Sequence, residues 1–176
     1  MANNMQQSQI SDFIEECKTI PLQTLFFINN PTALCKLPYP GHKKGCPNVG
    51  KNKNCPPLCP KLNEKYDLSK PYFFSYVKFN FKKQKEKMKS LHPNWTDKQC
   101  KCLLYWQGTV RKKLNTNSAI FAYNINIETK NNYNYELIPE AMGVDVFKTM
   151  KYHGIKLERN PENYVYKVSF IGVLNE

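Results

Sequence analysis

The sequence predicts a single domain of the α/β or α+β class, with one small sheet, packed helices and a cysteine- and proline-rich loop. Three observations support this. The chain has 176 residues, enough for one core and too few for two. Hydrophobic residues make up 41% and aromatics 13%, the profile of a globular chain. Segments with strand character and segments with helical periodicity interleave along the sequence, which favours helices packed on one sheet. The expected domain spans residues 8–176, after a polar tail at 1–7 taken to be flexible.

Taken in order, Ile10, Phe13, Ile14 and Cys17 follow the i, i+3, i+4, i+7 rule and predict a short amphipathic helix over residues 8–17. Cys17 completes its apolar face as a core thiol. Residues 22–28 suggest a strand leading into the cysteine loop. After that loop, residues 71–81 read as a strand rich in aromatic and β-branched side chains. The lysine-rich segment 82–91 follows as a helix with Phe81, Met88 and Leu91 inward. Thr96 or Asp97 can cap the next helix, which carries Cys100, Leu103, Leu104 and Val110 inward and runs into Arg111-Lys112-Lys113. Residues 118–127 suggest a second strand and 128–134 a polar loop. Pro139 opens a helix that Gly154 closes. Residues 164–174 form the last strand. The strand order cannot be read, and no internal repeat is visible.

The most informative feature is the loop at 35–60. Cys35, Cys46, Cys55 and Cys59 fall within 25 residues, separated by ten, eight and three others. Prolines at 47, 56, 57 and 60 fix φ and remove amide donors, so no regular element can form there. Such a loop buries little apolar surface, and thiolates around a metal would order it. Structural zinc usually takes two close cysteine pairs, and here only Cys55 and Cys59 make one. His42 is a possible substitute ligand for Cys35. The Cys59-Pro60 step also matches the end of a C-x3-C-P cluster-binding run. A [4Fe–4S] iron–sulfur cluster is favoured over zinc, and both remain open.

Lys plus Arg outnumber Asp plus Glu by 26 to 14, for a formal charge of +12. That excess favours an anionic partner, with RNA or DNA foremost. The candidate contacts are Lys82, Lys83, Lys85, Lys87, Lys89, Arg111, Lys112 and Lys113. Only Arg111 and Arg159 are arginines, so non-specific backbone binding is expected rather than base readout. Tyr105, Trp106 and the tyrosines near 133–135 are candidates to stack on bases. No run of residues is long enough to suggest a membrane span. No signal peptide is read, which points to the cytoplasm, where clustered cysteines more often bind metal than pair.

Cys100 and Cys102 stand two apart in a helical stretch and point to different faces, so they do not chelate one ion readily. His92 and His153 read as capping or surface residues near helix ends. No nucleophile–histidine motif and no phosphate-binding glycine loop is present.

Gly50-Lys51-Asn52 followed by Cys55-Pro56-Pro57 resembles the Y-G-K-x-W-x-C-P-P loop of a poorly characterised family of predicted metal-binding proteins, many from anaerobes. Pro139-Glu140-Ala141-Met142-Gly143-Val144-Asp145-Val146-Phe147 resembles the family's second hallmark, P-S-M-E-A-x-G-I-D-V-F. The strand at 165–174 fits the family's C-terminal end, so the resemblance spans residues 35–174. Family members carry a second cysteine-rich stretch before the second hallmark. Residues 127–138 hold no cysteine here, so the resemblance implies one metal site and argues against a two-cluster relay. Within the helix expected at 139–153, Glu140 suits the positive end of the dipole. Gly143 suggests close backbone packing there, and Asp145 suggests a bond to a nearby amide or lysine.

Three functional readings follow. The first is a cytoplasmic metal-binding protein, iron–sulfur by preference, with a basic surface for nucleic acid. The second is a redox or Lewis-acid metalloenzyme acting on a small substrate. The third is a zinc-stapled interaction module without chemistry of its own.

Overall fold

The computed structural model describes residues 10–38 and 43–176; the tail expected at 1–7 and His42 lie outside them. Four strands form one antiparallel sheet: β1 (Ile14–Pro21), β2 (Phe73–Asn80), β3 (Tyr133–Glu136) and β4 (Tyr164–Val173), in the order β1-β2-β4-β3. The helices α1 (Pro31–Cys35), α2 (Leu62–Lys65), α3 (Phe81–Leu91), α4 (Asp97–Cys100), α5 (Gln107–Thr129) and α6 (Val146–Tyr152) accompany it. Two 3-10 turns lie at Leu103–Tyr105 and Pro139–Met142. With every strand pair antiparallel, the fold is α+β rather than α/β.

Both faces of the sheet are covered. On one face, Phe74, Tyr76, Val168 and Phe170 pack against Leu62, Tyr66, Met142, Val144 and Met150. The opposite face belongs to α5, which contacts all four strands. Its first half brings Val110 and Leu114 to Val77, Phe79 and Trp106. Its second half brings Ala122, with Phe121 and Ile125, to Tyr133, Ile171 and Val173. Between these two apolar patches runs a polar seam. Thr19, Ser75 and Ser169 are in register across β1, β2 and β4. Asn117 Nδ2 donates to Ser75 Oγ at 2.7 Å and to Thr19 Oγ1 at 3.2 Å. Ser118 Oγ donates to the Leu114 carbonyl at 2.8 Å and meets Ser169 Oγ at 2.7 Å. Small hydroxylic residues in mid-strand thus find partners on the helix, as buried polar groups must.

Several sequence expectations are corrected. Residues 14–17 belong to β1, not to a helix. Ile14 and Cys17 do share one face, packed toward α5, but a bulge between Ile14 and Glu16 shifts the strand's parity. Three-residue spacing on one face therefore mimicked helical periodicity. Residues 118–127 lie inside α5 rather than in a strand. Their aromatic and β-branched content yields to the four-residue spacing of Val110, Leu114, Ser118 and Ala122, which buries one helical stripe. Asn126 clamps the end of this helix to β3, accepting from Tyr133 N–H at 2.6 Å and donating to its carbonyl at 3.0 Å. Part of the polar loop expected at 128–134 is therefore the start of β3.

Residues 22–28 do not join the sheet. They pair instead with the 143–145 segment through the Phe27–Val144 bridge and the bonds of Ile28 N–H to Gly143 O and Asp145 N–H to Phe26 O, both 2.8 Å. The helix expected from Pro139 to Gly154 is divided. Pro139 opens a 3-10 turn, Gly143 follows at φ +91°, and Asp145 caps α6 by accepting from Lys148 N–H at 2.9 Å. Gly143 thus ends a turn instead of occupying a helix interior. Phe81 and Met88 point inward from α3 as expected, whereas Leu91, its last residue, is 59% exposed. The helix expected after Thr96 is interrupted after Cys100, which leaves Leu103 and Leu104 outside the core, Leu104 at 89% exposure. Trp106 is buried against Phe79 and Phe81, so it offers no platform to a base.

Candidate functional site

The cysteine loop leaves the end of α1 and returns at α2. Asn30 caps α1 by accepting from Ala33 N–H at 3.0 Å, and the helix ends at Cys35. Gly45, at φ +81°, then brings the chain back so that Cys46 N–H donates to the Cys35 carbonyl at 2.8 Å. Successive turns follow: Cys55 N–H donates to Asn52 O at 2.9 Å, and Cys59 N–H to Cys55 O at 3.1 Å. The Pro56–Pro57 bond is cis. As the prolines imply, no helix or strand forms between residues 45 and 60.

The four loop cysteines share one neighbourhood. Burial first, then the charges of Cys46, Cys55 and Glu140, pushes the Cys35 thiol above its usual range. Burial also raises the Cys59 thiol, against a backbone hydrogen bond that lowers it, and the charges of Cys55, Cys35 and Glu136 add to the rise. Cys59 Sγ donates to the Ala141 carbonyl at 3.0 Å, so the loop is seated on the 139–142 turn. The two motifs read separately in the sequence are therefore neighbours in space. The donor set suits a thiophilic ion in kind. In arrangement it is not a finished cage: among the described residues, no three His, Cys, Asp or Glu side chains are close enough to hold a metal. All seven cysteines are free thiols. Cys100, the last residue of α4, is buried as a core thiol, whereas Cys17 packs against the α5-side cluster but is only partly buried.

On the far side of the 139–145 segment lies a cavity of about 690 Å³. It exists because β3 is short. Tyr133–Glu136 pair with β4 only from Phe170 to Val173, and the chain then leaves the sheet. The first half of β4 keeps an uncovered edge, and the cavity occupies that notch between α5, the 139–147 segment and residues 157–161. Leu114, Val144, Val146 and Val168 contribute apolar wall; Arg111, Glu140 and Lys167 contribute charge. Glu140 retains accessible surface, yet the atoms packed around it desolvate its carboxyl and push its pKa up. Burial pushes the Lys167 ammonium down, opposed by Glu140 and reinforced by Arg111. A second cavity of about 400 Å³ is lined by Cys59, Lys65, Asn115 and Glu136, and Arg111 borders both. In it, Glu136 accepts from Lys65 and from Tyr66 OH. None of this was visible in the sequence, since Arg111, Glu140 and Lys167 come from three separate elements.

The basic residues are less available than their number suggests. Lys85 bonds to Glu162, Lys87 stands 5.5 Å from the Phe13 ring, and Lys89 Nζ donates to Trp95 O at 2.7 Å. Arg111 faces the cavity. Lys82, Lys83, Lys112 and Lys113 are exposed. Tyr105 stacks on Trp95, itself stacked on His92. His153 caps α6 and is fixed on both nitrogens, with Nε2 accepting from Gln23 N–H at 3.0 Å and Nδ1 facing Thr149 O at 2.8 Å. No described helix is long and apolar enough to cross a membrane.

Comparison with family models, curated proteins and solved structures finds no match to this chain.

Proposed function

We propose that this chain is a metal-binding protein in which Cys35, Cys46, Cys55 and Cys59 hold a thiophilic centre, a [4Fe–4S] cluster by preference and zinc as the alternative. The observation that carries the reading is four thiols carried by one proline-rich loop, with Cys46 and Cys55 near enough to act on Cys35, Cys35 and Cys55 on Cys59, and the loop seated on the 139–142 turn. Because the sulfurs are near one another without forming a cage, binding is coupled to closure of the loop. Metal affinity then includes the work of ordering that segment, and protons leave the raised thiols as the ion enters. The bound centre supplies cross-linking of a segment that has no apolar core of its own. Cys59 must give up its bond to Ala141 to become a ligand, so occupancy also reaches the turn that carries Glu140.

Seven unpaired cysteines suit a reducing compartment, which favours the cytoplasm. The exposed lysines 82, 83, 112 and 113 support a weaker second reading, non-specific contact with nucleic-acid phosphates. Such binding rests on few cations, so it would be weak and its salt dependence correspondingly modest.

The test is metal analysis with an absorption spectrum of full-length protein purified without oxygen. The reading expects bound iron with visible thiolate-to-iron absorption, or a colourless protein with stoichiometric zinc. Either signal must disappear when Cys55 and Cys59 are both replaced by serine. Metal-free protein that takes up neither iron nor zinc on reconstitution contradicts it.

A further inference from the structure

The notch beside β4 holds two cations to which the described residues give no salt-bridge partner. Among the described residues, the Arg111 guanidinium has neither a hydrogen bond nor an ion pair, and the Lys167 ammonium has no ion pair within 4 Å, although both line the same cavity. Glu140 favours the charged form of Lys167 without pairing with it, and the charge of Arg111 opposes that form. Most carboxylates at this cavity are already committed. Asp145 caps α6 through Lys148 N–H, and Glu158 accepts from Glu162 N–H at 3.1 Å. Glu140 alone remains, and it forms no ion pair with either cation. The same cavity is lined by Leu114 from the α5 side and by Val144, Val146 and Val168 from the other face.

We propose that this cavity binds a small amphipathic carboxylate, its anionic end on Arg111 and Lys167 and its apolar body against Leu114, Val144, Val146 and Val168. The volume of about 690 Å³ lies in the range of small-molecule sites, and such sites combine apolar walls with a few convergent polar groups. Guanidinium matches a carboxylate with two parallel N–H bonds. A carboxylate between the two cations relieves their repulsion, and its bonds strengthen in a partly desolvated notch. Because Glu140 has its pKa pushed up, it opposes an incoming anion less than an ordinary carboxylate would. The site adjoins the cysteine loop through the 139–142 turn, but its lining includes none of the four loop cysteines.

The test titrates 4-phenylbutanoate, and separately its uncharged counterpart 4-phenylbutan-1-ol, into full-length protein, followed by methyl chemical shifts. Saturable shifts at Leu114, Val144 and Val168 are expected with the acid, and binding of the alcohol at least roughly tenfold weaker. Arg111→Gln and Lys167→Gln should each weaken the acid by a similar factor while leaving the alcohol unchanged. Arg111 is exposed on α5, so R111Q is expected to fold even if K167Q does not; circular dichroism checks both. Equal affinity for acid and alcohol, wild-type binding by R111Q, or no saturable shift at these methyls overturns the proposal.

Discussion

Gly45→Ala concentrates its effect on the cysteine loop. A Cβ at this position would stand 2.6 Å from the Cys35 carbonyl oxygen and 2.8 Å from Lys36 Cα and C. These are backbone atoms, so no rotamer change relieves the overlap. Alanine must also hold φ +81°, at about 1–2 kcal/mol. Retreat from the contact breaks the 2.8 Å bond from Cys46 N–H to Cys35 O, worth about 1 kcal/mol. The local penalty is therefore about 2–3 kcal/mol, which corresponds to roughly 30- to 150-fold in affinity. Competition titration of metal-free protein with zinc under anoxic conditions reads this directly. Gly45 contributes to none of the three apolar clusters, so the thermal midpoint of the metal-free protein should move by less than about 3 °C. Wild-type zinc affinity in G45A refutes the argument. So does a large fall in the midpoint with affinity intact, which would make Gly45 a folding residue rather than a loop-closing one.

Other perturbations test the fold that presents the site. Ser169→Ala removes the partner of Ser118 in the seam beneath α5 and should cost about 1–2 kcal/mol in urea unfolding; an unchanged midpoint removes the seam from the account. Gln84 is buried and its Oε1 has no partner among the described residues, so Gln84→Met should be neutral or stabilising by up to about 1 kcal/mol, and a clear loss of stability would contradict that reading. Hydrogen bonds from Lys101, then Lys85, lower the Glu162 pKa to about 2. A depressed carboxyl stabilises the fold above its unfolded value and ceases to as pH falls through its folded value. Stability should therefore drop between about pH 4.5 and 2, and Glu162→Gln should flatten that limb in acid titrations followed by circular dichroism. An identical acid limb in the variant contradicts the assignment.

The strands at 73–80 and 164–173 were legible because aromatic and β-branched residues dominate them. The loop was legible because its prolines allow nothing regular. Elsewhere local pattern and tertiary context diverged. A bulge gave β1 the three-residue spacing of a helix. The strand-like stretch at 118–127 was carried into a helix by the sheet face that α5 covers. Cysteine spacing suggested a metal loop, but not that it rests on the 139–142 turn through Cys59 and Ala141. That contact joins residues 82 positions apart, and the chain shows no local sign of it. The cavity was invisible for the same reason. It depends on where β3 stops pairing, and its cations come from α5 and β4.

The most direct test of the central claim is thiol alkylation mapped by mass spectrometry, comparing anoxically purified protein with the same protein stripped by chelator. The account predicts that Cys35, Cys46, Cys55 and Cys59 gain reactivity together on stripping. Cys17 and Cys102, which are partly exposed outside the loop, should react alike in both states. Loop cysteines that react equally before and after chelation would contradict a metal centre at this site.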